Sequence, residues 1–334
     1  MQHVYTPGGG LIAYTSDRVG HFDIWLINPQ NGVYRQLTNG LGDSFSQPFW
    51  SPDSRKIAFI GKNRVLYIVA VASGAVARID QLGDGAGVTL NWSPDSRKVA
   101  YTKEDLVIMY DTVTHKAEGI LQPNATDVQW FPTGQELLFQ AVDANGISQL
   151  FRIRTDGTGK QQITHNTGGP LHDASLSPDG KFVLYTTPGV SISLIHTVEL
   201  ATGNGFEVQG GPLAKNYYLT WSPDSMRIAY SATNFANSKY YSEIRSVGRK
   251  GENDHIWAAS NCFATPVTWS PNGGKISYLS GCTEQKFASE MWVLDFNYPT
   301  PVQLLTDSQI MSLQWSPSPL IHLSKTKLYN NVLF

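Results

Sequence analysis

The groups in this sequence best suited to chemistry are two histidines, two cysteines and a local excess of aromatic rings. His165 and His172 bracket the segment His-Asn-Thr-Gly-Gly-Pro-Leu-His, and Asp173 follows directly. A neutral imidazole can ligate a divalent metal or move a proton near neutral pH. Two rings across a Gly-Pro turn complete such a site only if further donors arrive from elsewhere; otherwise they simply line loops. His21 with Phe22, and Asp43 with Phe45, form two more polar–aromatic pairs. Phe235, Lys239, Tyr240 and Tyr241 crowd the stretch 231–242, which reads as a long loop, and Tyr217 and Tyr218 stand shortly before it. Exposed rings serve recognition and buried ones serve packing; both uses are open to a chain with 11% aromatic residues. Catalytic signatures are missing. No G-x-S-x-G elbow, P-loop, strand-linked G-x-G-x-x-G or H-E-x-x-H occurs. These residues therefore predict a binding site with no catalytic residue, metal or cofactor. A divalent metal such as Mn or Ca on the histidines is the alternative.

Composition narrows the partners. The 334 residues carry a net charge of −2, and only 16% are charged, against about 25% in an average soluble protein. A phosphate-neutralising surface is not expected, which argues against nucleic acid. No apolar run approaches the roughly 18 residues a membrane helix requires, so membrane insertion is not expected. The first residues, Met-Gln-His-Val-Tyr-Thr-Pro, lack the pattern of an intact secretory signal. A cytoplasmic protein and an exported domain that has lost its leader both remain open.

The elements that must position these residues come from a repeat. Trp-Ser-Pro-Asp or Trp-Ser-Pro-Asn stands at 50–53, 92–95, 221–224 and 269–272, with weaker copies at 130–133, 176–179 and 315–318 and a degenerate one at 5–8. The prolines fall at 7, 52, 94, 132, 178, 223, 271 and 317, a spacing of 38 to 48 residues. Five residues past each of the first seven prolines is an aliphatic residue, and seven past is an aromatic: Tyr14, Phe59, Tyr101, Phe139, Tyr185, Tyr230 and Tyr278. The eighth copy has His322 and Ser324 there. Alternation with a period of two predicts a strand with one buried face. Proline presets the second position of a type I turn, and Ser and Asp bond its backbone. The tetrapeptide thus reads as a hairpin turn, with Trp packed between neighbouring sheets. Further strands are expected over 11–16, 23–28, 33–38, 66–71, 76–79, 150–154 and 161–164, with an Asn31-Gly32 hairpin turn. No helical period of ten residues or more is present.

Trp-Ser-Pro-Asp-x-x-x-Ile-Ala-Phe, together with Thr15-Ser16-Asp17-Arg18-x-Gly20 and Gln36-Leu37-Thr38, resembles the WD-like repeat of the TolB β-propeller family. The same repeat occurs in the propellers of certain peptidases and of oligogalacturonate lyases. The resemblance spans essentially the whole chain. It implies one all-β propeller domain, 1–334, and the count of seven nearly complete repeat units predicts seven blades of four antiparallel strands. The expected units are 1–39, 40–81, 82–121, 122–165, 166–210, 211–258 and 259–306, with a closing segment 307–334. In that reading the strand at 312–315 completes the first blade, whose own inner strand at 3–6 is short. Eight blades, with 328–334 as an added strand, and then six are the alternatives.

Residue 272 lies midway between Cys262 and Cys282, so the two fall opposite each other across one hairpin, within disulfide reach. A disulfide is expected, with free thiols as the alternative. The bond would imply an oxidising compartment. The resemblance implies a bacterial, periplasmic or secreted protein, and a monomeric scaffold that binds a protein or peptide on its channel face. Oligogalacturonate lyases hold a metal with histidines and a glutamine on this face. The segment 40–45 resembles theirs, but Ala174 follows His172 by two residues where their pattern has Gln. A lyase-like or oligosaccharide-binding propeller is the competing reading.

Overall fold

The computed structural model describes residues 10–83, 89–167, 169–189, 193–208, 215–283 and 287–317. The first anchor at 5–8, the strand expected at 3–6, the segment 328–334, and His322 and Ser324 lie outside the described residues.

Among the described residues the chain is all-β apart from one short 3-10 turn, Lys62–Arg64. Five four-stranded antiparallel sheets form in sequence order, and each follows the meander expected of a propeller blade. The first contains Phe49–Trp50, Lys56–Gly61, Val65–Ala70 and Val76–Gln81. The fifth contains Lys215–Trp221, Arg227–Ala236, Lys239–Gly248 and His255–Ser260.

The blade count is a correction. The structure has five such blades and one seven-stranded sheet, not a ring of seven, eight or six separate blades. The cause is an 18-residue strand, Tyr298–Trp315, that no turn interrupts. Its first part pairs with Ala288–Asp295, through Trp292 with Gln303 and Val293 with Val302. Its last part pairs with Ile12–Ser16, through Ile12 with Trp315 and Tyr14 with Leu313. Strands from the two ends of the chain therefore share one sheet.

Burial is deepest in the middle strands of each sheet and lowest in the outermost. Ile12–Ser16 is buried on both faces, unlike the single buried face predicted by the alternation, because each sheet packs against neighbours on both sides. The outer strand Lys116–Leu121 is almost wholly exposed. The aromatics at the repeat position are core: Tyr14, Phe59, Phe139 and Tyr230 are fully buried. Clusters such as Ile24, Leu26, Trp50, Ile57 and Phe59 join successive sheets.

The Trp-Ser-Pro-Asp repeat holds the ring twice over. Within each turn, Ser51 Oγ donates to Asp53 Oδ1 (2.6 Å) and accepts from Lys56 N (2.9 Å); Ser93 with Asp95 and Ser222 with Asp224 repeat this. Between sheets, four of the repeat indoles donate their N–H to the carbonyl one residue before the preceding anchor, while the Trp315 indole bonds Ser277 Oγ instead. Trp92 bonds Phe49 O (2.9 Å), Trp221 bonds Ser175 O, Trp269 bonds Thr220 O and Trp50 bonds Gln314 O. The residue before the tryptophan adds to the chain of latches: Asn91 Oδ1 accepts from Trp130 N, and Gln129 bonds both Ala174 O and Leu176 N. The tryptophans are thus inter-sheet fasteners at the turn end, leaving the opposite, channel-side end to carry loops.

A cleft walled by aromatic residues

The stretch 231–242 is not a loop. It is the tip of a long hairpin in which Arg227–Ala236 pairs with Lys239–Gly248 down to Ala236 opposite Lys239. Asn237 (φ 50°) and Ser238 (φ 61°) close it, both left-handed as a type I′ turn requires. Phe235 and Tyr240 stand opposite each other on this tip, with ring centroids 4.9 Å apart. Tyr240 meets Phe263 edge-on at 5.0 Å, and Tyr217 also packs against Phe263, tilted, at 5.7 Å. Two of the expected aromatics, Tyr217 and Tyr240, therefore meet one ring, Phe263, which was not among the expected residues, and Phe235 joins them through Tyr240.

Phe263 is held by its neighbours in the chain. Cys262 and Cys282 form a disulfide, with Cα atoms 5.1 Å apart. Asn261 reinforces it: its Oδ1 accepts from Gly281 N (2.9 Å) and Cys282 N (3.0 Å), and its Nδ2 donates to Cys282 O (3.0 Å). Ser242 Oγ donates to Cys262 O and Phe263 O, both at 2.9 Å, tying the loop to the hairpin.

These elements enclose a cleft of about 960 Å³. The floor is apolar, formed by Leu279, Ala288, Ile310 and the buried Cys262, and Tyr218, Tyr240, Phe263 and Phe287 wall it. Lys239 is the only charged residue on this lining among the described residues, and no described acid pairs with it.

Tyr218 leads from the cleft to the channel. It has φ 54° in the bulge of an inner strand, and Asp127 (53°) and Asp173 (55°) occupy the equivalent bulges of the two preceding sheets. Non-glycine residues in this region are strained and concentrate at functional sites. Asp173 is open to channel water on one side and crowded on the others. That crowding raises its pKa, while the Thr186 hydroxyl (3.0 Å) and His172 pull the other way and Asp127 adds to the rise. Burial, then the Asp173 charge, raises the phenols of Tyr217 and Tyr218.

The other expected residues lie apart. His21 Nδ1 is 2.6 Å from the buried carboxylate of Asp23, which also accepts from Thr38 Oγ1 and Gly40 N, so this histidine belongs to a structural network. Phe22 is half-buried beside it. Asp43 caps its own turn through Phe45 N (2.9 Å), leaving Phe45 87% exposed and outside the cleft. His165 lines a separate 460 Å³ hollow with Asp143, Gln149 and Asn166. His172 is exposed at the start of an inner strand, and Tyr241 is half-buried on the hairpin. Among the described residues, no three His, Cys, Asp or Glu side chains gather as a metal-holding group.

The chain is a β-propeller, and solved structures with the same fold cover most of it. TolB from Acinetobacter baumannii is 16% identical, with 94% of this chain and 81% of that one covered and a TM-score of 0.57. A putative TolB from Agrobacterium tumefaciens is 15% identical over 94% and 95% of the two chains, with a TM-score of 0.53. An oligogalacturonate lyase from Vibrio parahaemolyticus is 14% identical over 90% and 87%, with a TM-score of 0.64. At these identities the likeness shows the fold alone. No protein-family profile matches the chain, and comparison with curated proteins finds no match.

Proposed function

We propose that this protein is a non-enzymatic binding propeller that recognises a protein or peptide partner in the aromatic cleft on its channel face. One observation carries the reading: exposed rings of Tyr218, Tyr240, Phe263 and Phe287 converge on a cleft with an apolar floor. Partly exposed aromatics grouped around a desolvated pocket are the usual energetic centre of an interface. The rigid sheet and the Cys262–Cys282 bond hold that cleft in shape before a partner arrives, which lowers the ordering cost of association. The disulfide also supports a periplasmic or secreted bacterial setting over the cytoplasm. No described helix is long and apolar enough to cross a membrane. Selection from a random-peptide display library, with counter-selection on a Tyr240→Ala/Phe263→Ala double variant, tests the reading. Enrichment of peptides that bind the wild type and not the variant supports it. Equal binding to both, or no enrichment, overturns it.

A further inference from the structure

The outer strand of the fifth blade is too short for its hairpin. His255–Ser260 pairs with Lys239–Gly248 only from Ser242 inward, where Ser242 faces Ser260. Beyond Ser260 the chain leaves the sheet: Asn261 turns to clamp residues 280–282, and the Cys262 and Phe263 carbonyls come under the hairpin to meet Ser242 Oγ. Lys239, Tyr240 and Tyr241 therefore project past their outer neighbour. In a two-residue hairpin the pair next to the turn, Ala236 with Lys239, is hydrogen-bonded, and the following pair, Phe235 with Tyr240, is not. The N–H and C=O of Tyr240 thus point away from the hairpin, toward the side the outer strand has vacated. Neither group has a backbone partner among the described residues.

We infer that the cleft takes its partner as an added strand: an extended polypeptide segment bonded to the outer edge of Tyr240, continuing the place of the missing outer-strand residues. An apolar side chain of that segment enters the cleft between Phe263 and Phe287. A carboxylate-bearing residue beside it faces Lys239, the one charge on the lining among the described residues. Main-chain bonds give such a complex affinity, and alternate side chains give it specificity. This inference rests on the peptide-recognition reading and adds the conformation and charge of what is recognised. It sets peptide apart from oligosaccharide, which has no repeating N–H and C=O edge to offer.

The test uses the tightest peptide recovered from the display library and a series of its analogues, each N-methylated at one backbone amide. Strand addition predicts an alternating pattern along the bound stretch. Methylation at edge-facing amides weakens binding about tenfold or more, the worth of one hydrogen bond, and methylation at the intervening amides does not. Hydrogen exchange at the Tyr240 amide should slow on peptide addition. Replacing the acidic residue of the peptide by Gln should weaken binding by about two- to fivefold, as expected of an exposed ion pair, and Lys239→Glu should reverse the preference between acidic and basic peptides. Binding that N-methylation affects at no position, with Tyr240 exchange unchanged, overturns strand addition while leaving peptide recognition standing. An unchanged preference in Lys239→Glu overturns the charge assignment. Failure of the library to yield any cleft-dependent peptide overturns the recognition reading and this inference together.

Discussion

Replacing Phe263 by Ala isolates the contribution of the ring at the centre of the cleft. Phe263 is 46% exposed in the free protein. A phenylalanine side chain offers about 200 Å², so about 90 Å² remains for a partner to cover, worth about 2 kcal/mol at ~25 cal/mol per Å². The expected loss of affinity for a library-selected peptide is about 30- to 50-fold. The contacts of Tyr217 and Tyr240 with this ring mean that truncation also loosens the cleft wall, which adds to the loss and does not offset it. Isothermal titration calorimetry on the wild type, Phe263→Ala and Phe45→Ala makes the comparison. Phe45 is nearly twice as exposed as Phe263 but lies outside the cleft, so exposure alone would predict the larger effect there. Wild-type affinity in Phe263→Ala with its thermal melt unchanged, or equal losses in both variants, would refute the reasoning.

Three further outcomes follow from the packing and charge. The Cys262→Ser/Cys282→Ser variant should lose about 3 kcal/mol, the denatured-state entropy of closing a loop of 20 residues. For a chain of 334 residues that corresponds to a melting shift of about 5 °C; an unshifted melt would contradict it. Trp92→Phe removes the indole bond to Phe49 O and leaves a carbonyl unmatched between two sheets, so it should cost about 1–3 kcal/mol in urea unfolding without changing peptide affinity. Asp173→Asn tests the crowded carboxyl. Its folded pKa is raised, so its favourable contribution is present below the unfolded value and is lost as pH rises through the folded one. The Asn variant, which tolerates the left-handed backbone, should match the wild type in acid and exceed it in stability at neutral pH; the opposite trend would contradict the assigned cause.

Much of the fold was legible because its information is local and repeated. Pro52, its Ser and Asp neighbours, and Phe59 seven residues on reported a turn and a buried strand in one short window, and the other copies reported them again. The blade count failed at one point. The repeat implied a break between 306 and 307, and Asp307-Ser308 suits a turn, yet these residues stay in the strand. The structure runs straight through with bulges, and Pro299 and Pro301 are tolerated because that part of the strand lies outermost. The hairpin tip was misread as a loop because Asn237-Ser238 lacks the glycine that usually announces a type I′ turn, and Ser231, Thr233 and Asn234 look polar from sequence. The site was half legible. Tyr217, Phe235 and Tyr240 were visible as an aromatic excess, but Phe263 was not, since its role arises only from the clamp made by Cys262, Cys282 and Asn261. Its position directly after Cys262 was the available signal. The histidines illustrate the converse: close in sequence, His165 and His172 serve different surroundings once folded.

The most direct measurement of the central claim is an amide chemical-shift map of the isotope-labelled protein titrated with a library-selected peptide. The largest changes should fall on Ser238, Tyr240, Phe263 and Thr283 around the cleft, with the Asp143–His165 hollow unmoved. Changes centred on that hollow, or on the Ser-Pro-Asp turns at the opposite end, would contradict it.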